Sequence, residues 1–329
     1  MPTPLNINGR TLNGVTTISV PDMVGNLTAG STLVAALGLE LSSASGISVS
    51  DTHNGMWNID ANSGPLSGSG GTNGAGLIVF ARVPNTRSGT SGTITASWTG
   101  SCSASLSLYE LPGSCVLDVT GTALTGSGSL TSLGFTIGPR YSGEFIVCVG
   151  LAYNGSAMTP DSGYAFPTGD QGVTWPDALN NDWHGHEYIS STSGTQSLNF
   201  GSTGTGGASI FAAAYGALPI ITTQPQSQTV ALGASATFSE TDSGGTSWQW
   251  YVASPLTSYP PVSPGLYYGA NSWAPIAGAT SNSYTTAPIT PNLTGSWYYC
   301  AVTNSFGTIN TAPVRVWITG LGPDARGLQ

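Results

Sequence analysis

Apolar and polar residues alternate along most of this chain in short runs, each cut off by Gly, Pro, Asn or Ser. The runs "STLVAALGLEL", "GISVSDTHNGMWNIDA", "LIVFARV", "GTITASWTG" and "ASLSLYELPG" come first. Then follow "SLTSLGFTIG", "GEFIVCVGLAY", "HEYISSTSG", "TQSLNFGS" and "ASIFAAAYGA". A period of two between turn residues predicts strands, about ten of them before residue 218, as a two-sheet sandwich with jelly-roll-like wiring requires. "GTITASWTG" and "ASLSLYELPG" each read as a half-buried strand, and His53-Asn54-Gly55 reads as a tight turn between two strands. No stretch holds a period of 3.6, so helix is nearly absent.

The pattern changes near "GALPIITTQPQSQTVALG", where a Pro-containing edge segment begins. The expected organisation is an arm or first strand over 1–30, a jelly-roll-like β-sandwich over 31–218, a second β-sandwich over 219–320 and a tail over 321–329. Fold class is all-β throughout.

The second sandwich carries the more specific motifs: Pro225, Val230, Gly233 and Phe238 at strand spacing, then "SWQWY", "IAGATSNSYTT" and "GSWYYCAVTNSFG". Together they resemble the immunoglobulin-like repeats of bacterial and phage proteins. The resemblance implies strands A′ and B, then strand C with Trp250 as the core tryptophan, then strand E. It makes Tyr298 the corner tyrosine, with its hydroxyl bonded to backbone across the turn, and has Gly307 close the F–G hairpin at positive φ. The position of the B-strand cysteine falls at Glu240. The inter-sheet disulfide therefore cannot form, and Cys300 is expected as a small buried hydrophobe with Phe238 and the packing around Trp250 replacing the crosslink. In the first sandwich, "SVSDTHNGMWN", "SGTITASWTG" and "SLYELPG" resemble a sandwich domain common in bacterial and phage surface proteins. That likeness implies a fold and names no activity.

Composition narrows the function classes. The 329 residues include 46 Gly and 21 Pro, no lysine and only 6% charged side chains, with 15 acidic against six basic residues for a net charge of −9. Phosphate backbones would repel such a chain, so nucleic acid is not an expected partner. No apolar run approaches the ~20 residues that cross a bilayer, and "MPTPLNINGR" lacks the basic and apolar regions of a secretory signal. Cys102, Cys115, Cys148 and Cys300 have no CxxC spacing. Cys102 and Cys115 either close a local loop or stay reduced and buried, and the missing crosslink at Cys300 suits folding in a reducing cytoplasm.

Candidate chemistry is sparse. "NNDWHGHEY" sets Asp182, His184 and His186 at two-residue spacing on an extended chain, which reads either as a transition-metal half-site or as a solvated strand end. There is no Gly-x-Ser-x-Gly elbow and no His-Glu-x-x-His. "GSGGTNGAG" lacks the third glycine and the helix of a dinucleotide site. "DTHNGMWNID" lacks the acidic spacing of a calcium loop. No cofactor and no catalytic residue is expected. A segment between Tyr251 and Ile276 is long and holds Tyr259, Tyr267, Tyr268 and Trp273 among five prolines. It either presents rigid aromatics to a partner or folds back over its own sheet. Trp175 and Trp183 are freer than Trp98 and Trp297, which sit in strong strand patterns and read as structural.

In composition the chain also resembles phage structural proteins, which are uncharged, Gly/Ser/Thr-rich, all-β and signal-free. That resemblance implies a virion protein made in the host cytoplasm and released by lysis. Its expected partners are a major capsid or tail protein and copies of itself, with host-surface glycans as a further ligand. Capsid decoration or head fibre is the first reading. A tail or baseplate adhesin is the second, a secreted bacterial adhesin or carbohydrate-binding module the third, and a polysaccharide-cleaving enzyme the last.

Overall fold

The computed structural model describes residues 6–21, 27–41, 43–67, 75–85, 92–121, 124–126, 132–140, 143–152, 157–159, 175–176, 183–190, 195–203, 208–253 and 273–320. The chain divides into two compact units, Met1–Ala217 and Leu218–Gln329. Both are all-β sandwiches, and the described residues hold a single 3-10 turn, Pro291–Leu293.

In the first unit, eight strands make one antiparallel sheet. They are β1 (Asn6–Pro21), β2 (Thr32–Leu39), β3 (Ser45–Asp51), β4 (Gly55–Met56), β5 (Asn58–Asn62), β6 (Leu66–Ser67), β7 (Ala75–Pro84) and β8 (Thr93–Leu111). Their order is β4-β3-β8-β2-β7-β5, with β1 on β8 and β6 on β7. Next come β9 (Cys115–Thr120), β10 (Leu124–Gly126), β11 (Ser132–Ile137), β12 (Phe145–Ala152), β13 (Ala157–Thr159), β14 (Trp175–Pro176), β15 (Trp183–Ser190), β16 (Gln196–Thr203) and β17 (Ala208–Ala217). These form a second large sheet, β10-β17-β12-β15-β14 with β9 on β17, and a small one, β11-β16-β13. The N-terminal segment is a strand: β1 follows β8 from Asn6↔Glu110 to Pro21↔Thr93.

Two sequence runs that look like separate strands, "TITASWTG" and "ASLSLYEL", are halves of the single 19-residue β8. Gly100, at φ +98°, marks the bend between them, and a Cβ there would lie 2.5 Å from Leu41 Cδ2. Opposite the bend, β1 shifts register at Val15. The first half of β8 pairs with β3 and the second with β2, so the sheet folds over itself and encloses a core of Ile18, Leu37, Val49, Val79, Ile94, Trp98 and Leu106 among others.

The alternation of the second half misleads. Its serines would face water on a half-buried strand, yet Ser105 and Ser107 are at most 1% exposed. The second large sheet covers that side, through a core that joins Val34, Phe80 and Tyr109 to Phe145, Val149, Phe211 and Tyr215. Small side chains let the two backbones approach closely. The same two-core arrangement settles Cys102 and Cys115, because Cys102 lies in the first core and Cys115 in the second. All four cysteines are buried and none forms a disulfide.

The second unit runs as β18 (Ile220–Thr223), β19 (Gln228–Val230), β20 (Thr237–Ser239), β21 (Thr241–Ser243), β22 (Ser247–Ala253), β23 (Ala274–Pro275), β24 (Ser283–Thr285), β25 (Trp297–Asn304), β26 (Gly307–Asn310) and β27 (Val314–Ile318). One sheet is β19-β27-β25-β22-β23, with β26 on β25, and β19 lies parallel to β27. Facing it are the pairs β20-β24 and β18-β21. This is the Ig-like sandwich, with β20–β21 as strand B, β22 as C, β24 as E and β25 as F.

Its core gathers Phe238, Trp250, Tyr298, Cys300, Val302, Val314 and Val316. Phe238 stands 4.8 Å from Tyr298 and 6.2 Å from Trp250, ring centre to ring centre. Trp250 donates its indole N–H to the Ser281 carbonyl at 2.9 Å. Gly307 has φ +151° in the turn after β25, where the Asn304 side chain accepts from the Phe306 and Gly307 N–H groups. Tyr298 is buried, which pushes its hydroxyl up to about 12. The expected bond from the hydroxyl to backbone is not among the described contacts.

One device recurs in both units. Asp51 accepts from the His53 and Asn54 N–H groups, from Asn54 Nδ2 at 2.9 Å and from Trp57 Nε1 at 2.9 Å. Asp242 likewise accepts from the Gly245 N–H at 2.7 Å and from Trp248 Nε1 at 2.9 Å. In each case an aspartate closes a turn and ties down a tryptophan six residues later. The aspartate of "DTHNGMW" is therefore a turn and indole anchor. Burial pushes the Asp51 carboxyl up, but the bonds from Asn54, His53 and Trp57 outweigh it and hold the carboxyl below its ordinary value. Asp51 then contributes stability above its unfolded pKa, and that contribution is lost as pH falls through the folded value. Asp51→Ala leaves the nearly buried Trp57 N–H without its acceptor. The expected cost to the first unit is about 1–3 kcal/mol, read from its urea-unfolding midpoint.

Candidate binding surface

β22, β25 and β27 turn every second residue into the Ig-like core, namely Trp248, Trp250 and Val252, then Tyr298, Cys300 and Val302, then Val314, Val316 and Ile318. The residues between them face the other way. On β25 these are Trp297, Tyr299 and Ala301, on β22 Gln249 and Tyr251, on β27 Arg315 and Trp317. The outer face of the sheet is thus largely aromatic.

Its rings are in contact. Tyr251 and Tyr299 are cross-strand partners and stack at 4.9 Å with a 4° interplanar angle. Trp273, just before β23, meets Tyr299 edge-on at 4.7 Å. Arg315, the cross-strand partner of Trp297, lays its guanidinium 3.8 Å from the centre of that indole and 5.3 Å from that of Trp317. Trp297 and Tyr299 are two residues apart on one strand, so the two groups adjoin. Gln249 fixes the edge by donating to the Trp250 and Ile276 carbonyls at 2.9 and 2.8 Å. Tyr299 is 8% exposed beneath its neighbours, whereas Trp297, Trp317, Tyr251 and Trp273 are half-buried. Burial, and then Tyr251, push the Tyr299 hydroxyl up.

Chemically this is a cluster of aromatic rings, stacked and edge-on, with one cation set among them. Rings of this kind take the C–H faces of sugars or other flat groups, and the guanidinium stacks on indole and offers planar hydrogen bonding. No Asp or Glu stands at the described outward positions of the three strands.

The residues singled out from sequence fall unevenly. Trp273 is part of the platform. Tyr259, Tyr267, Tyr268 and Asp182 lie outside the described residues. Trp175 and Trp183 are on β14 and β15, with Trp175 opposite His184 and Pro176 opposite Trp183. His184 and His186 stand in register with Leu151 and Val149 of β12. The side chains of His184 and His186, like Asp182, lie outside the described residues; among those described, no group of three or more His, Cys, Asp or Glu is placed to hold a metal. Trp98 is buried in the first core, as its strand pattern implied. Trp297 faces out from the core and carries Arg315 on its ring. "WYYCAV" held the signal, because both phases of its alternation carry aromatic rings, Trp297 and Tyr299 on one and Tyr298 on the other, which marks a strand with two faces to fill.

No family model matches this chain, and no curated protein does. Solved structures that resemble it are Ig or fibronectin-type modules. The Ig complex of titin M10 and obscurin-like 1 is 19% identical, over 31% of this chain and 95% of that one, at a TM-score of 0.20. The titin M3 domain is 16% identical, over 31% and 96%, at 0.19. FN3tt is 10% identical, over 31% and 98%, at 0.23. At such identities the likeness concerns the fold alone.

Proposed function

We propose that this chain is a non-enzymatic structural protein of a bacteriophage particle, a capsid decoration or head fibre. In this reading the N-terminal sandwich docks to the shell or to sister copies, and the Ig-like unit adheres weakly to host-surface glycans. The observation that carries the adhesive part is the aromatic outer face of the Ig-like sheet, which the core of that unit does not use. The particle assignment draws on the low-charge, Gly-rich composition and on Ig packing that does without a disulfide, as suits folding in a reducing cytoplasm. Many copies on one particle turn weak single contacts into firm attachment.

Two measurements test this, one for each part. Mass spectrometry of particles purified from the lysate that carries this gene should find the chain in fixed stoichiometry to the major capsid protein, and its absence would remove the particle assignment. Full-length protein should bind host-envelope polysaccharide in a pull-down. Trp297→Ala combined with Trp317→Ala should weaken that binding about 10-fold or more with an unchanged melting temperature. Equal binding by the double variant would rule out the platform.

A further inference from the structure

Strand B of the Ig-like unit points Ala236 and Phe238 into the core, and the next inward position is Glu240. Its N–H donates to the Asn282 carbonyl at 3.0 Å, so the backbone holds the residue in place between β20 and β21. The side chain is 1% exposed, and neither carboxyl oxygen has a hydrogen-bond partner. Antibody-type sandwiches place here one half of the disulfide whose other half is on strand F. The strand-F residue in this chain is Cys300, fully buried and close enough to Glu240 for the carboxylate to act on its thiol.

The surroundings offer a buried anion only the Trp248 indole, whose N–H is already given to Asp242 at 2.9 Å. Asp242, two residues on along the same strand, is itself acidic and already accepts from Trp248 and Gly245. From β25 come the Cys300 thiol and the Tyr298 hydroxyl. From β24 comes Tyr284, whose ring packs against Trp250 and Tyr298. From β22 comes Trp248, which does not titrate. The unit has no histidine or lysine, and its one basic side chain among the described residues is Arg315, on the outer face over Trp297.

We propose that Glu240 makes the Ig-like unit a pH-sensitive element. Protonated, it packs as a neutral group at the crosslink position and the sandwich is tight. Ionised, it is driven toward water and loosens strand B.

Burial, and then the charge of Asp242, push the Glu240 carboxyl from 4.5 up to about 7. The sign follows. Between these values the unfolded chain has already released the proton while the folded one retains it, so stability falls as pH rises across that window and levels off above it. Cys300, pushed up to about 12 by burial and then by Glu240, stays a neutral thiol throughout. Asp51 in the other unit works in the opposite sense, so the readout has to be local.

The test is hydrogen exchange of the full-length protein at pH 5, 6, 7 and 8, corrected for intrinsic rates. Protection of residues 236–242 and 298–302 should fall by about tenfold or more from pH 5 to pH 8. Glu240→Gln, which keeps the shape and removes the charge, should abolish that slope. Glu240→Leu serves as a second neutral variant. A flat profile in the natural protein overturns the proposal, whatever the variants do, and so does an unchanged slope in a folded neutral variant.

Discussion

Trp250→Ala is expected to unfold the Ig-like unit selectively. Trp250 is wholly buried, stacks on Phe238, lies 6.2 Å from Tyr284 and donates to the Ser281 carbonyl. Removing a buried tryptophan costs about 3–5 kcal/mol, which is a large part of the ~5–15 kcal/mol that holds a domain folded. In a unit this size that is roughly 15 °C or more of melting temperature. No disulfide stands behind the tryptophan to limit the loss. Differential scanning calorimetry of the full chain should show one transition moved or lost and the other retained. Trp250→Phe should be milder, because it keeps ring packing and gives up mainly the bond to Ser281. Equal melting of Trp250→Ala and the natural protein would mean that the core is organised around something else.

Gly38→Val is the second large effect, and it falls on the first unit. Gly38 is on β2, where the two large sheets come closest. A Cβ there would stand 2.9 Å from Leu151 Cδ2, 2.9 Å from Ser105 Oγ and 3.3 Å from Val149 Cγ1. Its backbone has no positive φ, so the constraint is space alone. Overpacking of this kind costs about 1–3 kcal/mol, and a branched side chain wedged against a second sheet belongs at the upper end. Adding Leu151→Ala should recover part of the stability, since it empties the volume that the valine needs, and a double-mutant cycle reads that coupling directly. If the two changes simply add, the sheets do not meet at this glycine.

The two units differ in how much of them the sequence showed. In the Ig-like unit, Phe238, Trp250, Tyr298 and Cys300 lie in the core and Gly307 in the hairpin turn, the places that the Ig-like resemblance implies. One face of each strand there faces a single core, and a period of two reports that directly. Glu240 was legible as the residue that replaces a cysteine. Its missing partners were not, because those depend on which side chains from β22, β24 and β25 converge around it. The outward face of Trp297 was not legible for a related reason: periodicity says that a residue lies in a strand, and a strand with both faces filled gives no alternation to tell the faces apart. In the first unit, the serines of β8 fit the polar face of a half-buried strand and prove to be the thin filling between two sheets. The pairing of Asp51 with Trp57 lies within one turn, yet nothing in the spacing distinguishes a turn anchor from a ligand.

By itself the sequence determined that this protein is all-β, that its organisation changes near residue 218, and that its Ig-like core would be held by rings instead of sulfur. Those follow from local rules of alternation, turn chemistry and residue size. Only the tertiary structure decided that β8 bends at Gly100, that the first unit has a core on each side of the sheet formed with β2, and that an aromatic platform covers the outer face of the Ig-like sheet. Each of these depends on contacts between residues far apart in the chain, and a pattern of period two carries no information about what lies across from it.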